Sequence, residues 1–160
     1  MKQFFGDVWE YQGSAIIVVP TNGDVKSNGL AVMGAGIAKQ AAQKYPLLPR
    51  QLAGKLRLDG NHVHHFGDIV TFPTKHHWKE DADLVLIERS ARELRELYDN
   101  QPRGAWRSIW ELVVMPRVGC GLGRLVWSEV EPVLDKYLGD PFVVVSLPEM
   151  TEAPPFAIRP

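Results

Sequence analysis

The chain has 160 residues, a formal net charge of −1, 45% hydrophobic residues and 23% charged residues. That describes one ordinary globular domain, long enough to bury a core without staples, and it excludes a broad basic surface for nucleic acid. Cys120 is the only cysteine, so an internal disulfide is excluded, a cysteine-based zinc site is not expected, and a reducing cytoplasm is the expected location. Met1–Asp7 lacks the apolar stretch of a signal peptide, and the apolar run 15–20 is too short to cross a membrane.

In chain order, Phe4 to Tyr11 reads as a first strand interrupted by Gly6-Asp7. Ala15-Ile16-Ile17-Val18-Val19 is an apolar, β-branched run, the signature of a strand buried on both faces. Pro20 to Asp24 ends it with turn chemistry, and residues 21–33 form a long loop rich in Asn and Gly. Loops of that length in compact domains are commonly functional. A helix is predicted from Ala35 to Tyr45, stopped by Pro46, and a shorter one from Pro49 to Arg57. Asp59-Gly60-Asn61 is a turn. His62 to Phe66 and Ile69 to Phe72 read as two strands pairing across Gly67-Asp68. Leu84, Ile87, Ala91, Leu94 and Tyr98 recur at helical spacing and mark the clearest amphipathic helix. Leu112 to Met115 is a buried strand. Ser128 is expected to cap a helix running to Leu138, with Glu131 completing a capping box, and Phe142 to Val145 is the last strand. The pattern predicts one α/β domain over residues 1–147 and a Pro-rich tail over 148–160.

Two glycine-rich segments carry the functional signal: Val32-Met33-Gly34-Ala35-Gly36-Ile37-Ala38 and Pro116-Arg117-Val118-Gly119-Cys120-Gly121-Leu122-Gly123. Each is placed as a loop after a strand, where bare backbone N–H groups and a helix N-terminus favour an anion. Two such loops in one small domain suggest a clamped diphosphate. Neither fits a dinucleotide fingerprint, because Lys39 occupies the third glycine position of the first and the second breaks the spacing; the Gly-Lys-Ser/Thr of a P-loop is absent.

In their order these segments resemble the macrodomain, an ADP-ribose-binding module. Gly6-Asp7-Val8, Pro20-Thr21-Asn22, the first glycine loop and Met115 to Leu122 match its motifs from about Gly6 to Val145. The resemblance implies a three-layer α/β/α fold with a central mixed sheet, with no cofactor and no metal. It implies that Asp7 and Val8 hold adenine, that Met33, Gly34, Ala35, Gly36, Ile37, Gly119, Cys120, Gly121, Leu122 and Gly123 hold the phosphates, and that Asn22 contacts the distal ribose. Asn28 is either a further ribose contact or a turn residue. The glycine loops and Phe72-Pro73-Thr74-Lys75-His76-His77-Trp78-Lys79 are similar to the terminal ADP-ribose glycohydrolases and the DNA ADP-ribosyl glycohydrolase antitoxins of DarG type. In both groups the lysine after the threonine is catalytic, which here is Lys75. The implied protein is a cytoplasmic, monomeric hydrolase that removes ADP-ribose from a macromolecule, a DNA base being favoured over protein. A phosphatase acting on ADP-ribose 1″-phosphate and a non-catalytic ADP-ribose reader are the alternatives.

Residue chemistry supports a role for Lys75. A neutral amine can attack the electrophilic anomeric carbon, or a charged one can assist the leaving group. His76, His77 and Lys79 are expected to crowd Lys75 with like charge. One departure is notable: the terminal ADP-ribose glycohydrolases carry an Asp after Gly-Cys-Gly-Leu, where this chain has Gly123. A second is the insertion Gly23 to Gly29, placed to fold over the distal ribose. His62 and His64 are expected on one side of a strand, where a half-exposed strand explains them better than a metal with Asp59 or Asp68. Cys120 reads as a packing residue between glycines. Trp78 is a candidate to stack on the modified target, and Trp127 is expected to pack behind the second phosphate loop.

Overall fold

A computed structural model of the protein describes residues 1–102 and 110–148. Its elements in chain order are β1 (Lys2–Phe5), a 3-10 turn (Val8–Tyr11), β2 (Ile16–Thr21), α1 (Gly36–Lys44), α2 (Leu48–Asp59), β3 (His64–Phe66), β4 (Ile69–Pro73), α3 (Leu84–Asp99), β5 (Val113–Met115), a second 3-10 turn (Gly121–Gly123), α4 (Trp127–Asp135) and β6 (Phe142–Ser146). The described strands form one six-stranded sheet in the order β1-β6-β5-β2-β4-β3. All neighbours run parallel except β3 and β4, so the sheet is mixed as expected.

The three layers follow from the two-residue period of the strands. Ile16 and Val18 of β2, with Val113 and Met115 of β5 and Phe142 and Val144 of β6, pack in one core with Ile87 and Leu94 of α3 and Leu134 of α4. Ile17, Val19, Val114, Val143 and Val145 point the other way, into a core with Ala41 of α1 and Leu48 and Leu52 of α2. A strand covered on both faces must be apolar at every position, which is why these segments read as continuous hydrophobic runs.

Three expectations need correction. The first strand ends at Phe5, because Asp7 caps the following 3-10 turn: its carboxylate accepts from Trp9 N–H at 3.0 Å, and Glu10 accepts from the Asp7 N–H at 3.1 Å. Helix α4 begins at Trp127 after Val126, with no side-chain cap, so Ser128 lies inside the first turn, and the helix stops at Asp135 rather than Leu138. His62 precedes β3; its ring is 2.7 Å from Glu93, whereas His64 is buried with its ring 3.0 Å from the Gly60 carbonyl. The tail beyond Pro148, and Trp106, lie outside the described residues. No described helix is long and apolar enough to cross a membrane.

Candidate functional site

The parallel strands β1, β6, β5, β2 and β4 deliver their C-terminal ends to one edge of the sheet, and a cleft of about 1140 Å³ opens there. Loops beyond the carboxyl ends of parallel strands are where α/β folds bind ligands. The cleft is lined by Asp7 and Val8 after β1, Asn22 after β2, Lys75 after β4, and both glycine segments, Met33 to Ile37 and Gly119 to Gly123. The fold therefore gathers every predicted site residue except Asn28. That residue is exposed and closes a turn, its side-chain oxygen accepting from Leu30 N–H at 3.1 Å.

The two glycine loops are built for close approach. Gly36 opens α1 with φ +57°, and its N-cap Ala35 supplies no side-chain bond to the first-turn N–H groups, which line the cleft. Gly119 has φ +78°, and a Cβ there would meet Ile87 Cδ1 at 2.6 Å. Arg117 lies over the ring of buried Trp127 at 5.3 Å, so Trp127 does pack behind this loop. Asn22 spends its amide within its own loop, donating to Val32 O at 3.1 Å and accepting from Asp24 N–H at 2.9 Å. Asp7 likewise serves as a cap while lining the cleft.

The segment between β4 and α3 joins the two loops. Lys75 is partly buried, and its Nζ donates to Leu122 O at 3.3 Å and Trp78 O at 3.4 Å. Ala82 N–H donates to Gly123 O at 2.9 Å. On the other side Gly23 N–H donates to His76 O at 3.1 Å, and Asp24 accepts from Trp78 N–H at 2.8 Å while sitting 3.0 Å from His77 Nδ1. Beneath, Asn61 Nδ2 donates to Lys75 O at 3.0 Å. The neighbouring cations have partners of their own: His76 lies 2.9 Å from Asp83 and His77 3.0 Å from Asp24, while Lys79 sits over the Trp78 ring. The His76 bond, working against partial burial, holds the Asp83 carboxyl below its ordinary value.

Gly123 has a packing reason. A Cβ at this position would lie 2.9 Å from Ala82 Cβ, so the loop closes on Ala82 with no room for a side chain. The carboxylates at this end of the cleft are Glu80 and Asp81, and Asp81 lies 3.7 Å from Arg124. Asp24, Asn61 and Ala82 are the contributors that sequence reading missed. Their contacts join segments far apart in the chain and carry no local signature.

Taken together, the layered mixed sheet, with a cleft between two glycine loops at its strand ends, defines a macrodomain. No protein-family model matches the sequence. The chain is 31% identical, over 71% of its length, to a DNA ADP-ribosyl transferase–DNA ADP-ribosyl glycohydrolase fusion protein of Thermosipho africanus, and spans only 34% of that protein. The Thermosipho africanus DarTG structure in complex with ADP-ribose superposes with a TM-score of 0.72 and 25% identity, over 96% of this chain and 43% of that one. The macrodomain of Mycobacterium tuberculosis DarG matches with a TM-score of 0.72 at 23% identity, over 92% of this chain and 97% of that one. The macrodomain of Thermus aquaticus DarG gives 0.65 at 20%, over 91% and 96%. The chain has the macrodomain fold, and the proteins it is similar to include DarG macrodomains.

Proposed function

We propose that the protein binds ADP-ribose in this cleft and hydrolyses it from a modified macromolecule, an ADP-ribosylated DNA base being the favoured substrate. In this reading Asp7 and Val8 hold the adenine, the two glycine loops hold the diphosphate, Asn22 positions the distal ribose, and Lys75 acts at the anomeric carbon. The observation that carries it is the bond from Lys75 Nζ to Leu122 O at 3.3 Å. It holds the amine against the second glycine loop, where the sugar beyond a bound diphosphate would emerge. The ADP-ribose in the DarTG complex and the glycohydrolase half of the fusion protein support the same reading.

The chemistry needs no cofactor. As the glycosidic bond breaks, the Nζ lone pair bonds to the anomeric carbon, and the leaving base takes the glycosidic bonding pair and the proton that Nζ gives up. Water then cleaves the carbon–nitrogen bond, returning the amine and releasing ADP-ribose. Lys75→Ala is expected to slow release of ADP-ribose from ADP-ribosylated single-stranded DNA by about a hundredfold or more, with ADP-ribose binding still measurable by calorimetry. Undiminished turnover in that variant overturns the lysine role.

One observation favours a second reading, a non-catalytic ADP-ribose reader: the place of an acid in related hydrolases is occupied by Gly123, closed against Ala82. A panel of ADP-ribosylated DNA, an ADP-ribosylated glutamate peptide and ADP-ribose 1″-phosphate separates the readings. Binding of ADP-ribose without turnover of any of the three establishes the reader.

A further inference from the structure

Four consecutive carbonyls fix the backbone that carries Lys75, and each is held by a different part of the chain. Pro73 O accepts from Ser90 Oγ of α3 at 2.7 Å, and Thr74 O from Asp83 N–H at 2.9 Å. Lys75 O accepts from Asn61 Nδ2 at 3.0 Å, and His76 O from Gly23 N–H at 3.1 Å. The lysine's own peptide therefore rests on the turn between α2 and β3, through one side chain. That side chain is closely packed: a Cβ on Gly23 would stand 3.1 Å from Asn61 Cγ. Its Oδ1 is buried and accepts no hydrogen bond among the described residues. An amide with one end buried and unpaired is a poor stabiliser of a fold, because that end carries its full desolvation penalty. The bond to Lys75 O is what this asparagine supplies.

Helix α3 aims Asn61 from below. Arg89 Nη2 donates to Asn61 O, Glu93 Oε1 accepts from Val63 N–H at 3.0 Å, and Glu93 Oε2 lies 2.7 Å from His62 Nδ1. Arg89 and Glu93, one helical turn apart and 3.7 Å from each other, thus grip residues 61–63. None of Asn61, Arg89 and Glu93 lines the cleft. At the other end of the lysine, the bonds from Nζ to Leu122 O and Trp78 O are 3.3 and 3.4 Å, at the long end of the range, and hold the amine only if its base is fixed. We infer that Asn61 is a positioning residue for Lys75: it fixes the lysine peptide so that Nζ stays within reach of the anomeric carbon, and it takes no part in holding ADP-ribose. The inference rests on the hydrolase reading of the cleft and deepens it. Its physical basis is that a reacting group displaced by about 1 Å can lose about a hundredfold in rate while binding is untouched.

The test is a double-mutant cycle between positions 61 and 75 on the full chain. ADP-ribosylated single-stranded DNA is the substrate, and calorimetric binding of free ADP-ribose counts the folded sites. Asn61→Ala is expected to lower kcat about tenfold, with KM and the ADP-ribose Kd unchanged within about twofold. Asn61→Asp has nearly the same size but no donor, and is expected to lose as much while keeping the packing under Gly23. With Lys75→Ala already in place, Asn61→Ala is expected to cost nothing further, because Asn61 acts through the lysine. A merely structural role would lower the rate by the same factor in both backgrounds, or reduce the number of ADP-ribose sites. Either of those results, a raised KM at unchanged kcat, or a fully active Asn61→Asp overturns the proposal. ADP-ribose bound without turnover by the unaltered chain, or undiminished turnover in Lys75→Ala, overturns the hydrolase reading on which it rests. Both of those outcomes are read with position 61 intact, so the two failures are told apart.

Discussion

Asp24 and His77, 53 residues apart in the chain, lie 3.0 Å from each other and clasp the loop after β2 to the segment carrying Lys75. The Asp24 carboxylate also takes the Trp78 N–H, so the clasp holds the backbone on which Lys75 rests. Beside it Gly23 N–H bonds His76 O, and a Cβ on Gly23 would stand 2.9 Å from that oxygen. The joint between the proposed ribose loop and the lysine segment is thus made of backbone and one ion pair.

The clasp predicts a pH dependence. The hydrogen bond to Asp24, then the charges of Asp24 and Glu80, raise His77 above its ordinary value of 6.5. Partial burial pushes Asp24 up, but the bonds from His77 and the Trp78 N–H outweigh it and hold the carboxyl below 3.8. His77 therefore contributes stability fully below pH 6.5 and loses it as pH rises through its raised value. Asp24 contributes fully above 3.8 and loses it as pH falls through its lowered value. The difference in melting temperature between the wild type and His77→Ala should be greatest between those limits and fade as pH rises through the raised His77 value. A difference that grows with rising pH would contradict the ion pair.

Restoring an acid beside the second glycine loop should fail on packing grounds. Gly123→Asp places its Cβ 2.9 Å from Ala82 Cβ, in a loop whose carbonyl bonds the Ala82 N–H. Overpacking of this kind costs about 1–3 kcal/mol. Chemical denaturation should register that loss, and Ala82→Gly in the same chain should restore part of it. Full stability of the single variant would mean that the loop yields more easily than its contacts imply.

Asp7 carries two roles that substitution can separate. Asn keeps a good cap for the 3-10 turn, whereas Ala removes it at about 1 kcal/mol. Asp7→Asn should keep the stability of the wild type yet weaken ADP-ribose relative to an analogue lacking the adenine amino group, because the carboxylate acceptor is gone. Asp7→Ala should lose both. Equal ADP-ribose affinity in Asp7→Asn and the wild type would remove Asp7 from adenine recognition.

The chain's own order of residues determined the buried strands, because β2, β5 and β6 are covered on both faces and must be apolar throughout. It determined α3, whose single buried face imposes the helical spacing, and it singled out the glycine loops and Lys75, which line one cleft. Local pattern misplaced several boundaries: Asp7 turned a strand into a cap, α4 started one residue before its expected cap and ended at Asp135, and His62 fell before β3. Only the tertiary structure decided that Asp24 holds His77 and Trp78, that Asn61 holds the Lys75 carbonyl, that Ala82 fills the space beside Gly123, and that Asn28 stays outside the cleft. Strand order is the reason. Periodicity along one segment says which face it buries, but the loops that meet at the strand ends are set by which strands lie side by side, here β5 between β6 and β2 and β4 beyond β2.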